Sequence, residues 1–341
     1  RFDKLEEYVP GEQPTDQKYV KLNTNESPYQ PSDSVIAAAT EAARDLQLYP
    51  DPECSALVNA LSDLFGVEPH NIVLGNGSDE ILNFCFAAYC DSAKGAAFPN
   101  FTYGFYSVFA QLYNIDYTEI PLKNDFTVNI EDYFNIGKTV FIANPNAPTG
   151  IALSLCDIER IVQNNPNDIV VIDEAYVDFG AQSAIPLINK YDNLVVVGTF
   201  SKSRSLAGAR LGFAVAAAPL IRDLNKLRYS TNPYNINRVT LAAGLAAVND
   251  NGYYMNNCKK IIATRAETVE ALENLNFTVL PSNANFVFAK YNGNISGGEI
   301  YRALKQKGVL VRHFDKAGID EYLRITIGSD EQMNILFDRL K

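Results

Sequence analysis

Five short apolar runs, at positions 72–74, 140–143, 169–172, 194–197 and 211–216, alternate with stretches of helical spacing at 34–46, 57–65, 157–163 and 219–227. The runs carry almost no polar alternation, which is the pattern of strands buried on both faces. Strands of that kind, separated by helices, build an α/β unit with a mostly parallel sheet covered on both sides. Beyond position 230 the pattern changes. Two long helical stretches, 239–248 and 258–275, are divided by a turn signal at Asn249, Asp250, Asn251 and Gly252. Strands are then expected at 278–280, 286–289, 310–312 and 323–327, with helices at 298–307 and 330–340. This reads as a second, smaller α+β unit. For 341 residues two domains are the natural division. The boundaries expected are an N-terminal segment, 1–40, packing with the small domain, a large domain, 41–245, and a small C-terminal domain, 246–341.

Residues able to do chemistry fall just past the expected strand ends, where open α/β sheets bind ligands. Lys202 follows the run 194–197, with Thr199, Ser201 and Arg210 around it. A lysine at a buried strand end loses its water at a cost of several kcal/mol, so it is paired or its pKa is depressed. A depressed lysine is a nucleophile able to form a Schiff base. The two hydroxyls and the forked cation suit a phosphate beside it, and lysine plus phosphate site suggests pyridoxal 5'-phosphate. Asp173 ends the run 169–172 and could keep a pyridine nitrogen protonated, although a turn cap is an equally simple use of an aspartate there. Tyr176 could donate to the ring's phenolic oxygen. Gly75, Asn76, Gly77, Ser78 and Asp79 lead from a short strand into an apolar helix whose first amides could face a phosphate. The turn Ala143 to Gly150 holds prolines that could aim Asn146 at the same cofactor.

These motifs in this order resemble the aspartate-aminotransferase superfamily, fold type I of the pyridoxal-phosphate enzymes, and within it the histidinol-phosphate aminotransferase family. The resemblance also rests on Leu22 to Pro28, Leu48 to Pro52, Phe101 to Gly104, Ser201 to Gly208 and Leu323 to Gly328, so it runs nearly the whole length. It implies that Lys202 holds the cofactor and later shuttles a proton, that Asp173 pairs with the ring nitrogen and that Tyr176 meets the phenolic oxygen. Tyr103 matches a ring-stacking aromatic. Gly77, Ser78 and Asp79 would join Thr199, Ser201 and Arg210 around the phosphate. Tyr49 matches a tyrosine that reaches the phosphate from the neighbouring subunit, implying a homodimer. Arg324 matches a carboxylate-binding arginine, Arg312 one that meets a substrate phosphate, and Asn25 lies in a substrate-binding segment. The family often carries Asn directly before Pro-Thr-Gly; this chain has Ala147, and Asn146 would take the role from one position earlier.

The activity so implied is a ping-pong transamination of L-histidinol phosphate with 2-oxoglutarate. Other fold type I enzymes, such as an aromatic aminotransferase or a threonine-phosphate decarboxylase, share the same core residues. A non-catalytic pyridoxal-binding module is a remoter alternative, and a dinucleotide-binding protein lacks its G-x-G-x-x-G.

Charge and cysteine usage narrow the partners. A net charge of −11 argues against nucleic acid or an anionic membrane surface as partner. No apolar run approaches the ~20 residues that span a bilayer. Five scattered cysteines without C-x-x-C, and only His70 and His313, suggest neither a metal site nor a disulfide framework. Reduced thiols in a cytoplasmic enzyme are the simplest expectation. The first residues, Arg1 to Lys4, show no signal-peptide pattern, and the missing Met suggests a processed start.

Overall fold

A computed structural model describes residues 5–341; Arg1 to Lys4, on which the expectation of a processed start rests, lie outside the described residues. The strands in chain order are β1 (Val20–Lys21), β2 (Ile72–Asn76), β3 (Ala96–Pro99), β4 (Tyr117–Ile120), β5 (Thr139–Ala143), β6 (Val170–Asp173) and β7 (Leu194–Thr199). They continue with β8 (Leu211–Ala216), β9 (Phe277–Val279), β10 (Phe286–Tyr291), β11 (Val309–Leu310), β12 (Arg312–His313) and β13 (Tyr322–Thr326). The helices are α1 (Asp33–Ala42), α2 (Ser55–Phe65), α3 (Ser78–Tyr89), α4 (Phe105–Tyr113) and α5 (Leu155–Gln163). After them come α6 (Ala218–Thr231), α7 (Arg238–Asn249), α8 (Asn251–Asn274), α9 (Gly297–Gln306) and α10 (Asp330–Leu340).

A seven-stranded sheet runs β2-β8-β7-β6-β5-β3-β4. Its strands are parallel except β8, which is antiparallel to both β7 and β2. The expected α/β class with a mostly parallel sheet therefore holds. The period of two along each strand explains why the apolar runs are unbroken. Val140, Ile142, Val170, Ile172, Leu194 and Val196 pack into one core. Phe141, Val171, Val195 and Val197 point the other way, into a second core with Phe84, Phe86 and Phe109. Fully burying each such side chain contributes roughly 1.5–3 kcal/mol, and both cores need every residue of the run.

β3 and β4 were not legible as strands. β3 is short and built on alanine, and β4 is an edge strand whose first three residues are exposed. Helix α4, carrying the aromatic run after Gly104, was also not anticipated.

A second sheet, β12-β13-β10-β9, is antiparallel throughout. The expected strand 310–312 is split between two partners. Val309 and Leu310 pair in parallel with Val20 and Lys21, whereas Arg312 and His313 pair with Arg324 and Leu323. Leu22 joins Val287, Leu323, Ile325, Met333 and Leu336 in a third core. The turn signal at 249–252 is a one-residue break: Asp250 ends α7 and Asn251 already begins α8, seven residues before the expected start. Four helices have a serine or asparagine accepting the amide three residues on: Ser154, Asn237, Ser296 and Ser329. Among the described residues no helix is long and apolar enough to cross a membrane.

Candidate active site

The C-terminal ends of the parallel strands open into a cavity of ≈ 660 Å³ whose walls come from both sheets and from residues 6–26. Lys202 stands three residues past β7, between buried Ser201 and Ser203. Its Nζ donates to the Thr24 carbonyl at 3.2 Å and lies 5.8 Å above the Tyr176 ring. Among the described residues no carboxylate pairs with it. Burial brings its pKa down from 10.5 to about 8, and the positive charge of Arg324 adds to the shift.

Asp173 ends β6, 4% exposed. Its carboxylate accepts from the Tyr106 hydroxyl at 3.0 Å and from the Ala175 amide at 3.2 Å. Burial raises its pKa from 3.8 to about 6, and no cation lies within ion-pair distance among the described residues. Tyr106, on α4 and fully buried, was missed by sequence reasoning; the aromatic run around Gly104 was its only signal. Glu174 faces away from the cavity. It accepts from the Ser183 hydroxyl and the Ala184 amide, and burial pushes it up to about 8.

Helix α3 begins at the cavity with Ser78 and Asp79. The Asp79 carboxylate binds Arg210 Nη2 at 2.7 Å and accepts from the Tyr103 hydroxyl at 2.6 Å. Gly77, at φ +80, lies beneath Arg210: a Cβ there would sit 2.4 Å from the guanidinium. Opposite, Thr199 donates to Ser201 Oγ at 3.0 Å and accepts from the Ser201 amide at 3.1 Å. Thr199, Ser201, Ser78 and Arg210 thus share one end of the cavity.

Tyr176 lines the cavity beside Ala147. Its ring meets Phe286 edge-on at 5.1 Å, and its hydroxyl accepts from Asn25 Nδ2 at 3.0 Å. Arg324 also lines the cavity. Its Nη2 donates to the Asn23 carbonyl at 3.1 Å, while its buried Nε has no partner among the described residues. Arg312 donates to the carbonyls of Val9 and Pro10, both at 3.0 Å. Residues 6–11 therefore lie across the mouth, where Tyr8 stacks on Phe105 at 4.1 Å.

Two expected residues stand elsewhere. Asn146 does not reach the cavity: its amide donates to the Phe101 carbonyl and to Thr149, and its oxygen accepts from Thr102. Ala147 and Pro148 form the wall there, and the loop engages the polar atoms of Asn146 behind them. Tyr49 is 76% exposed and stacks on Tyr234 at 4.5 Å, away from this chain's cavity. His313 lies beside Tyr301 and bonds the Asp320 carbonyl through Nε2.

The arrangement fits pyridoxal phosphate. A desolvated lysine, a buried carboxylate with no cation beside it among the described residues and an anion cradle at a helix start lie around one cavity. The buried Arg324 Nε and Thr24 Oγ1 at its edge lack partners among the described residues, which a bound anion or amide could satisfy.

Comparison with known proteins gives consistent results. The family profile described as aminotransferase class I and II matches residues 17–340. The chain is 50% identical over 339 residues to a histidinol-phosphate aminotransferase of Brachyspira hyodysenteriae, covering 99% of this chain and 96% of that protein. To one from a Marinomonas species it is 51% identical over 341 residues, with the same shares covered. Among solved structures, histidinol-phosphate aminotransferase from Sinorhizobium meliloti in complex with pyridoxal-5'-phosphate is similar at a TM-score of 0.88 and 25% identity, covering 95% of this chain and 90% of that one.

Proposed function

The chain belongs to the class I and II aminotransferases, and on that premise we propose that it transfers the amino group of L-histidinol phosphate to 2-oxoglutarate, with pyridoxal 5'-phosphate as cofactor, in histidine biosynthesis. Identity near 50% over almost the full length of its relatives supports the substrate. The observation that carries the chemistry is Lys202, an amine with a pKa near 8 and no carboxylate partner among the described residues, facing the cavity from a strand end.

Bound there, pyridoxal phosphate supplies an aldehyde that amines condense with and a ring that takes up negative charge from the neighbouring carbon. The protein's part is holding, orienting and moving protons. Lys202 Nζ, partly neutral at physiological pH, would hold the aldehyde end of the group and, as a free amine, would take up and return a proton there. Asp173, held by Tyr106 and the Ala175 amide, would keep the ring nitrogen protonated. Tyr103 would lie against the ring, and Tyr176 would donate to the phenolic oxygen. The amides of Ser78 and Asp79, with Thr199, Ser201 and Arg210, would hold the phosphate; Gly77 lets Arg210 lie close. Asn146 positions the loop behind Ala147. Arg312 and Arg324 take the anionic groups of the two substrates, and forked guanidinium groups suit both a phosphate and a carboxylate. Asn25 serves the substrate end of the site through Tyr176. Residues 6–11, across the mouth, help keep water out.

The same reading includes a homodimer, in which Tyr49 completes the partner's phosphate site. Its exposure and that of Leu46 and Leu48 support this. It includes a cytoplasmic location, in keeping with five free thiols, no nucleic-acid or membrane partner, and the division 1–40, 41–245 and 246–341. Pairing of β1 with β11 supports joining the first segment to the last domain.

The test is the visible spectrum of the loaded enzyme on adding L-histidinol phosphate without an oxo acid. Loss of the visible band, restored by 2-oxoglutarate, is the expected result. A band that ignores histidinol phosphate but responds to phenylalanine or threonine phosphate would overturn the substrate.

A further inference from the structure

Asn25 is buried and holds a left-handed backbone, φ +56. The bonds around it fix one orientation of its side-chain amide. Its amide N–H donates to Thr326 Oγ1 at 3.0 Å, and the Thr326 hydroxyl donates back to Asn25 Oδ1 at 3.0 Å. Asn285 Nδ2 donates to the Asn25 carbonyl at 2.9 Å and holds the backbone in place. With Oδ1 facing Thr326, Nδ2 must face Tyr176, and it donates to that hydroxyl at 3.0 Å. Turning the Asn25 amide over would leave the Thr326 proton without an acceptor in a residue 3% exposed, the costlier arrangement.

The consequence falls on Tyr176. Its oxygen already accepts, so its own proton is free to be donated into the cavity it lines. Ala147 beside it offers no side-chain donor. Thr326 lies two residues after Arg324 on β13, and the two pair with Phe286 and Phe288 of β10. Residues two apart share a face of a strand, so one strand face sets both the anion-binding arginine and the direction of the tyrosine's proton.

We propose that Thr326 and Asn25 are positioning residues that fix the Tyr176 hydroxyl as a donor toward the cofactor's phenolic oxygen. This rests on the reading of the cavity as a pyridoxal-phosphate site. Donation to that oxygen stabilises its anion; without it the chromophore holds its proton more tightly.

The test is a pH titration of the visible band in the loaded enzyme without substrate. Tyr176→Phe, Thr326→Val and Asn25→Gly should each raise the midpoint by about 0.5–1 unit. Thr326→Ser, which keeps the hydroxyl, should stay at the parent value. Asn25→Gly suits the left-handed backbone and carries the test if Thr326→Val fails to fold. An unchanged midpoint in Asn25→Gly or folded Thr326→Val while Tyr176→Phe rises overturns the proposal. So does an unchanged midpoint in Tyr176→Phe, or a rise in Thr326→Ser equal to that in Thr326→Val. A parent protein that develops no visible band with added pyridoxal phosphate overturns instead the reading of the cavity on which the proposal rests.

Discussion

Lys202 and Asp173 each carry a charge that their surroundings disfavour, and the two act on stability in different pH windows. The folded pKa of Lys202 is near 8 against 10.5 for an ordinary lysine. Between these values the unfolded chain binds more protons, so stability rises with pH through that window and the cost is complete below about 8. Its size is on the order of 3 kcal/mol, from the fall in the Lys202 pKa from 10.5 to about 8. Asp173, raised from 3.8 to about 6, has the opposite slope: its cost grows as pH rises through that window and is complete above about 6. At pH 7 both penalties stand in cofactor-free protein. Lys202→Met should therefore raise the melting temperature of cofactor-free protein by a few degrees at pH 7, and by less at pH 10. It should also remove the visible band and turnover. A melting temperature equal to or below the parent's would show that the ammonium is well compensated.

Among the elements, the start of α3 sets the anion cradle, and it does so through backbone proximity to β8. A Cβ on Gly212 would stand 2.3 Å from the Ser78 amide nitrogen and 2.4 Å from the Gly77 carbonyl carbon. No flexible side chain is there to give way. Gly212→Ala should push the two backbones apart, costing about 1–3 kcal/mol of stability and weakening pyridoxal-phosphate affinity at least tenfold. Fluorescence titration with the cofactor measures this, and unchanged affinity would refute the role given to the Ser78 and Asp79 amides. Caps act more locally. Ser329 accepts from the Gln332 amide and Gln332 reaches back to the Ser329 amide, so Ser329→Ala should lower stability by about 1 kcal/mol while leaving the cofactor midpoint unmoved.

For the whole molecule, the N-terminal segment touches both units beside the cavity. β1 pairs with β11, Arg312 holds the carbonyls of Val9 and Pro10, and Glu12 pairs with Lys305 and Tyr301 on one side, while Tyr8 stacks on Phe105 and the Glu6 amide donates to Gln111 on the other. The exposed Leu46, Leu48 and Tyr49 form the surface on which a second copy is expected. Sedimentation should give a dimer, and Tyr49→Phe should lower cofactor retention several-fold without dissociating it. A monomer in solution, or full retention in Tyr49→Phe, would remove Tyr49 from the site.

The local pattern of residues determined much of this protein. Unbroken apolar runs had to become doubly covered strands, because any other placement would leave them wet. Lys202, Asp173, Ser78 and Arg210 follow or flank those strands, so their common end of the sheet was already legible. Other features depended on contacts that the local pattern does not carry, many between residues far apart in the chain. β4 is an edge strand with polar residues facing water, which local pattern cannot tell from a loop. Tyr106 could not be assigned to Asp173 without the packing of α4 against β6. Asn146 looked free to meet a cofactor, yet Phe101, Thr102 and Thr149 use up its polar atoms. The direction of the Tyr176 proton depends on Thr326, 150 positions away, through an amide whose orientation only the folded network decides. Periodicity is a property of neighbours along the chain, whereas satisfaction of a buried hydrogen bond is a property of whatever the fold brings beside it.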